Sequence, residues 1–230
     1  MPEAYNNTRP YRLIFTLHAF GGNASLVASG QGGYLPYYGL PDLDGGSAIY
    51  VSPNGLDRGW ANVGGDDTTL IANIVTAAKT GLCVDEDLVF STGFSYGAAM
   101  SFNLACQMSK VFRAVAPLSG AGGRNGTDCG TDPVAFYAQH GLNDTSISIE
   151  RGRAMRDVFV KNNGCTPVGN VTAPVVGSGT HVKTVYQGCK EGYPVTWIEF
   201  DGGHTPQPKD RGTNNTFAPG ETWSFFSQFK

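Results

Sequence analysis

Val89-Phe-Ser-Thr-Gly-Phe-Ser-Tyr-Gly-Ala-Ala-Met100 runs from an apolar segment through Gly93-x-Ser95-x-Gly97 into a stretch of helix formers. The pattern predicts a strand over 88–94 and a helix over 98–108, joined by a turn too tight for a Cβ on either side of the serine. Such a turn strains the backbone and lifts the Ser95 hydroxyl clear of the sheet. The helix that follows points its free N–H groups and the positive end of its dipole at that oxygen, which favours an anion forming there. Ser95 is therefore the candidate nucleophile. The pentapeptide alone is a weak signal, because the chain has 32 glycines and an ordinary glycine-rich turn around a serine is spelled the same way. The order of elements on either side decides between the two.

Upstream, Tyr11–His18 is a short apolar run that reads as a buried strand, followed by the glycine-containing loop Ala19-Phe-Gly-Gly-Asn-Ala24. Ala48–Ser52 is a second strand closed by the turn Pro53-Asn-Gly55, and residues 56–65 form a glycine-rich loop around Trp60. Asp66 or Asp67 caps a helix reaching about Thr80, with Leu70, Ile71, Ile74, Val75 and Ala78 on one face. Downstream, 112–119, 134–140 and 195–200 read as strands, 149–162 and 223–229 as helices, 120–129 as a loop, and 168–192 as an irregular excursion with a short hairpin. Strands alternating with helices imply an α/β fold, a mostly parallel sheet flanked by helices in a single domain spanning 1–230. Sites in such sheets lie beyond the carboxyl ends of strands, where His18, Ser95, Asp144 and His204 all fall.

The balance of 16 basic and 19 acidic residues, net charge -3, leaves no electrostatic footprint for nucleic acid or an anionic membrane. No apolar run approaches the ~20 residues that span a bilayer, and the first residues lack the apolar core of a signal peptide. Asn-x-Ser/Thr triplets begin at Asn6, Asn23, Asn125, Asn143, Asn170 and Asn214. The five cysteines form no C-x-x-C pair and have no histidine at ligand spacing, which favours disulfides over metal and points to a secreted glycoprotein. One cysteine is left over, its partner expected on an upstream segment removed with a signal peptide; a free thiol is the alternative. Along the chain, Cys83 and Cys106 flank the serine strand and helix, and Cys165 and Cys189 bracket the excursion, so these pairs are expected and Cys129 is left unpaired.

A serine needs a base, and the base needs an acceptor that sets its tautomer. Of four histidines, His18 and His140 end strands in structural or supporting positions, and His181 lies in the excursion. His204 follows a strand through the flexible Asp201-Gly-Gly and is the candidate base. Asp144, after the strand that ends at His140, is the candidate acid, with Asp201, Asp132 and Asp128 as competitors. The order Ser95, Asp144, His204 is the one used by α/β-hydrolases.

At this point the chain resembles the secreted fungal feruloyl esterases of carbohydrate esterase family one, related to polyhydroxybutyrate depolymerase-like esterases. The likeness is carried by His18 with Gly21-Gly22, Val51-Ser-Pro-Asn-Gly-Leu with Gly59-Trp60, Leu82-Cys-Val-Asp, Phe90-Ser-Thr-Gly-Phe-Ser-Tyr-Gly, Asn163-Gly-Cys165, Phe200-Asp-Gly-Gly-His204 and Thr222-Trp-Ser-Phe-Phe. It spans nearly the whole chain. It implies an α/β-hydrolase fold with Ser95 as nucleophile, His204 as general base and acid, and Asp144 as orienting carboxylate. The oxyanion hole would use the Tyr96 N–H and one from Ala19 or Phe20; the loop His18-Ala-Phe-Gly-Gly departs from the commoner His-Gly-x-Gly, which leaves the second donor open. Trp60 and His18 are expected at the substrate. The family's further strand and cysteine ahead of the segment matching Pro2–Tyr5 are missing, which implies a truncated start.

The implied substrate is a feruloylated plant cell-wall polysaccharide or other hydroxycinnamate ester, hydrolysed by a monomer without metal or organic cofactor. The nearest rivals keep the chemistry and change the acyl group, to an acetyl xylan esterase or a polyester depolymerase. A rival of another class is a noncatalytic carbohydrate-binding protein on the same scaffold.

Overall fold

Leu13, Phe15 and Leu17 of strand β1 (Tyr11–Leu17) face one apolar layer and Ile14 faces another, and all four are fully enclosed. The same division holds along β3 (Val84–Phe94), where Val89 joins the first layer while Leu88 and Phe90 join the second. A strand with both faces apolar must be covered on both sides, which is the situation of a parallel sheet between helices. The computed structural model describes residues 1–122, 129–169 and 171–230. The expected loop segment 123–128, with Asn125 and Asp128, and the triplet at Asn170 therefore lie outside the described residues.

Among the described residues, seven strands stand in the order β2-β1-β3-β4-β5-β7-β6. The others are β2 (Ala48–Val51), β4 (Ala114–Leu118), β5 (Ala135–Gly141), β6 (His181–Val185) and β7 (Val195–Phe200). Neighbours pair in parallel except β6, which runs antiparallel to β7 at the edge. Helices α2 (Asp66–Gly81), α3 (Tyr96–Gln107) and α4 (Ile149–Asn162) cover the first layer with Ile71, Met100, Phe102 and Phe159. Helices α1 (Ala24–Ser29) and α5 (Ala218–Ser227) cover the second with Val27, Phe225 and Phe226. The stacked pairs Phe136–Phe159 (centroids 4.8 Å apart) and Phe90–Phe226 (4.7 Å) tie one helix to each face. Each such ring removed from water stabilises the fold by about 1.5–3 kcal/mol.

Differences from the sequence reading have local causes. β3 begins at Val84 rather than Leu88, and its charged extension Asp85-Glu86-Asp87, half-buried to exposed, gave no apolar signal. The short helix α1 was not anticipated; Asn23 caps it by accepting the Leu26 N–H at 3.0 Å, and Gly30 ends it with φ 73°. α5 starts five residues early, with Pro219 in its first turn. The strand expected inside a local hairpin of the excursion instead extends the main sheet as β6.

The disulfides correct one expected pair. Cys165–Cys189 is present, but Cys106 bonds to Cys129, and Cys83 is the free cysteine. Cys83 sits at the start of β3, where its N–H reaches the Tyr5 hydroxyl. The C-terminal end of α3 is instead met by the chain returning toward β5: the Gly130 Cα side faces the Cys106 carbonyl, and the Gly130 carbonyl accepts from the Asn162 amide. Flanking one element along the chain did not translate into contact in space.

Candidate active site

The turn after β3 carries the backbone stress that the sequence demands. Ser95 has φ 56° and ψ -111°, a region that costs a residue with a Cβ on the order of 1–3 kcal/mol. The turn can form because nothing projects from its neighbours. A Cβ on Gly93 would lie 2.6 Å from the Gly97 carbonyl carbon, and one on Gly97 would collide with the Leu17 carbonyl of β1. The Ser95 N–H is held by the Leu118 carbonyl at 3.0 Å, so β4 braces the turn. Ser95 is half-buried and is followed at once by α3, so the free N–H groups of that helix's first turn lie next to the serine along the chain.

Asp144 and His204 come from the loops after β5 and β7, adjacent strands that pair from Phe136↔Val195 to Gly141↔Phe200. His204 Nδ1 lies 2.6 Å from Asp144 Oδ2, and the other carboxylate oxygen accepts the Ser146 and Ile147 N–H groups at 2.9 and 2.8 Å. The Asp144 side chain has no exposed surface, whereas that of His204 is 20% exposed. Because a carboxylate only accepts, Nδ1 of His204 carries the proton and Nε2 is left as the basic atom. The imidazole packs on Phe94, centroids 4.5 Å apart, which brings it beside the residue that precedes Ser95. No hydrogen bond joins His204 to the Ser95 hydroxyl among the described residues. Two of the competing acids are committed elsewhere, and the third, Asp128, lies outside the described residues. Asp201 accepts from Gly179 N–H and the Asn143 amide, and Asp132 is engaged by Ser109 and Lys110. His181 pairs with Asp210 away from this group.

The loop after β1 is tied down from within. Gly21 and Gly22 donate to the Arg58 and Ala19 carbonyls, while the N–H groups of Ala19 and Phe20 have no backbone acceptor among the described residues. His18 does not fit the expected contact with substrate. It is 1% exposed, its Nδ1 donates to the Ala19 carbonyl at 2.8 Å, and its Nε2 accepts the Gly55 N–H at 3.1 Å. Both ring nitrogens are spent on holding the loops after β1 and β2 together, and burial pushes its pKa down from the ordinary 6.5. Trp60 continues the same tie, donating its indole N–H to the His18 carbonyl at 2.8 Å.

A cleft of about 740 Å³ opens at Ser95. Phe20, Trp60, Tyr96 and Ile147 supply apolar wall, and Asn103 and Arg151 supply polar groups. Phe20 is 76% exposed at the rim, while Trp60 shows only 2% of its surface. Asn103, Arg151 and Ile147 were not anticipated. Tyr96, Ala99 and Asn103 follow one another at helical spacing along α3, so the polar member could have been found from the serine onward. Ile147 and Arg151 gave no such signal, because only the fold brings the start of α4 to the serine.

No protein-family model matches the chain. Among curated proteins, it is 49% identical over 234 residues to feruloyl esterase D of Neurospora crassa, covering all of this chain and 80% of that protein. It is 43% identical over 226 residues to feruloyl esterase C of Emericella nidulans, covering 98% of this chain and 81% of that one. Among solved structures, the acetyl xylan esterase from Aspergillus awamori superposes with a TM-score of 0.69 at 18% identity, over 98% of this chain and 91% of that one. A ferulic acid esterase from Anaeromyces mucronatus, solved with ferulic acid, gives 0.61 at 14%, over 98% and 81%. The structural likenesses establish the α/β-hydrolase fold, and the identities over the full length establish that this chain belongs to the feruloyl esterase family.

Proposed function

We propose that this protein is a serine esterase that hydrolyses feruloyl and related hydroxycinnamoyl esters of plant cell-wall polysaccharides. The observation that carries the reading is the aromatic-walled cleft that opens at a strained serine, with a buried aspartate bonded to a half-buried histidine at the adjoining strand ends. A feruloyl group is a flat ring on a conjugated link with a phenolic hydroxyl. It needs apolar, aromatic walls and a polar partner along the cleft, which Phe20, Trp60, Tyr96 and Ile147 with Asn103 or Arg151 offer.

In the reaction, His204 takes the Ser95 proton through Nε2, and Oγ attacks the ester carbonyl. The oxyanion is received by the Tyr96 N–H and one from Ala19 or Phe20, each such donor contributing roughly 10²–10³ in kcat. The imidazolium, steadied by Asp144, then protonates the departing sugar oxygen as the ester C–O bond breaks, and His204 activates water to release the acid. The two disulfides support a secreted protein, since such bonds persist in oxidising compartments.

The test is hydrolysis of methyl ferulate, methyl acetate and acetylated xylan, with Ser95→Ala as control. Methyl ferulate should show the higher kcat/KM, by several kcal/mol of transition-state stabilisation if the ring is enclosed at about 0.8 kcal/mol per methylene-sized group. Equal kcat/KM on ferulate and acetate, or a preference for acetylated xylan, would overturn the acyl assignment. Full activity in Ser95→Ala would overturn the serine mechanism.

A further inference from the structure

The proposed triad leaves one fully enclosed histidine without a task. His140, near the end of β5, has Nε2 2.8 Å from the Ile147 carbonyl and 3.2 Å from Asp144 Oδ2, the oxygen that also meets His204. Among the described residues its Nδ1 is buried with no partner, and it lies against Gly152 of α4, where a Cβ would collide with it. Both neighbours of Nε2 are acceptors, so Nε2 carries a proton. Nδ1 has no acceptor in reach among the described residues, so a proton there would be a buried, unpaired N–H, which is disfavoured. His140 is thus a neutral imidazole with a fixed tautomer that presents one N–H to the turn holding Asp144. Burial pushes its pKa down, which agrees with that state.

Three donors therefore bond the Asp144 carboxylate, two backbone N–H groups on Oδ1 and His204 on Oδ2, while the single His140 N–H, bonded to the Ile147 carbonyl, also lies 3.2 Å from Oδ2. Resting on the Ser-His-Asp reading above, we propose that His140 is a positioning residue for the esterase reaction, whose Nε2–H holds the Ile147 carbonyl of the turn that carries Asp144 and, 3.2 Å from Oδ2, shares the carboxylate's charge and keeps it toward His204. The sharing matters because a bare carboxylate would hold the proton on His204 more tightly. The surrounding charged groups are occupied: Glu199, beside His140 in the β5–β7 register, takes Arg153 at 2.8 Å and the Trp197 indole, and Glu150 also takes Arg153. Asp201 takes Gly179 and Asn143. That leaves His140 and His204 as the titratable partners of Asp144.

The test compares His140→Phe, which keeps a ring and removes the donor, with His140→Gln, whose amide N–H can reach the Nε2 position. The readouts are kcat, KM, the pH profile of kcat/KM on methyl ferulate, the melting temperature, and the downfield proton resonance of His204 Nδ1–H without substrate. His140→Phe should lower kcat about tenfold with KM within about twofold, and shift the downfield resonance. The acid limb of its profile should move to higher pH, because the less shared charge on Asp144 retains the His204 proton. His140→Gln should restore most of kcat and the wild-type limb. An unmoved limb and resonance in His140→Phe would overturn the proposal, as would equal losses in both variants that track melting temperature alone. The resonance needs no turnover, so it tests His140 even if Ser95→Ala remained active and the esterase reading failed.

Discussion

Asp144 and His204 lie 60 residues apart in sequence and 2.6 Å apart in space, joined across the ends of two neighbouring parallel strands. If this pair serves Ser95, Ser95→Ala or His204→Ala should lower kcat by on the order of 10⁴–10⁶. Asp144→Asn should cost somewhat less, since it misorients the base without removing it. Asp201→Asn, whose carboxylate accepts from Gly179 and Asn143 and has no bond to His204 among the described residues, should stay within about tenfold of wild type. The reverse ranking of the two aspartates in steady-state kinetics would place the acid at Asp201.

Burial sets a pH limit on the fold. His18 and His140 both have pKa values pushed below the ordinary 6.5 by loss of solvent. Below pH 6.5 the unfolded chain binds protons that the folded chain refuses, so stability is complete above 6.5 and is lost as the pH falls from there. Melting temperatures measured from pH 7.5 to 5 should fall through this window, and His140→Gln should flatten the slope. A melting temperature that rises toward pH 5 would contradict the neutral, buried assignment of both rings.

Trp60 combines two roles that a pair of variants can separate. Trp60→Ala removes cleft wall and the indole N–H to His18, so it should lower kcat/KM on methyl ferulate more than on methyl acetate. Trp60→Phe keeps an aromatic ring but loses the hydrogen bond and part of the indole's volume, at about 1–3 kcal/mol of stability, and should retain the ferulate preference. Parallel losses on both esters in Trp60→Ala would mean that the indole holds the loop and does not touch the acyl group.

Non-reducing peptide mapping should link Cys106 to Cys129 and Cys165 to Cys189, with Cys83 alkylated without prior reduction. Each bridge closes a loop of little more than 20 residues, separations of 23 and 24, for which chain entropy gives roughly 3 kcal/mol. Cys165→Ser should therefore lower the melting temperature by roughly 6–12 °C. A Cys83–Cys106 peptide would contradict the structure.

What the sequence by itself determined is local or periodic. Gly93-x-Ser95-x-Gly97 between an apolar strand and a helix could close in few ways, and the turn is where those residues predict it, with Ser95 at φ 56°. Two-sided apolar strands such as Leu13–Leu17 required cover on both faces and so a parallel sheet. The order Ser95, Asp144, His204 named three candidates because each follows a strand. Tertiary structure decided what depends on contact between distant segments. His18 and His140 look alike in sequence, each closing a strand ahead of small residues. One is spent on the Ala19 carbonyl and Gly55 N–H, and the other reaches Asp144, because the loops that surround each ring differ. Cys106 found Cys129 instead of Cys83 for the same reason: a disulfide answers to distance in space, which no spacing along the chain encodes. Spacing constrains the conformation of neighbours, whereas pairing depends on the packing of whole helices and loops against the sheet.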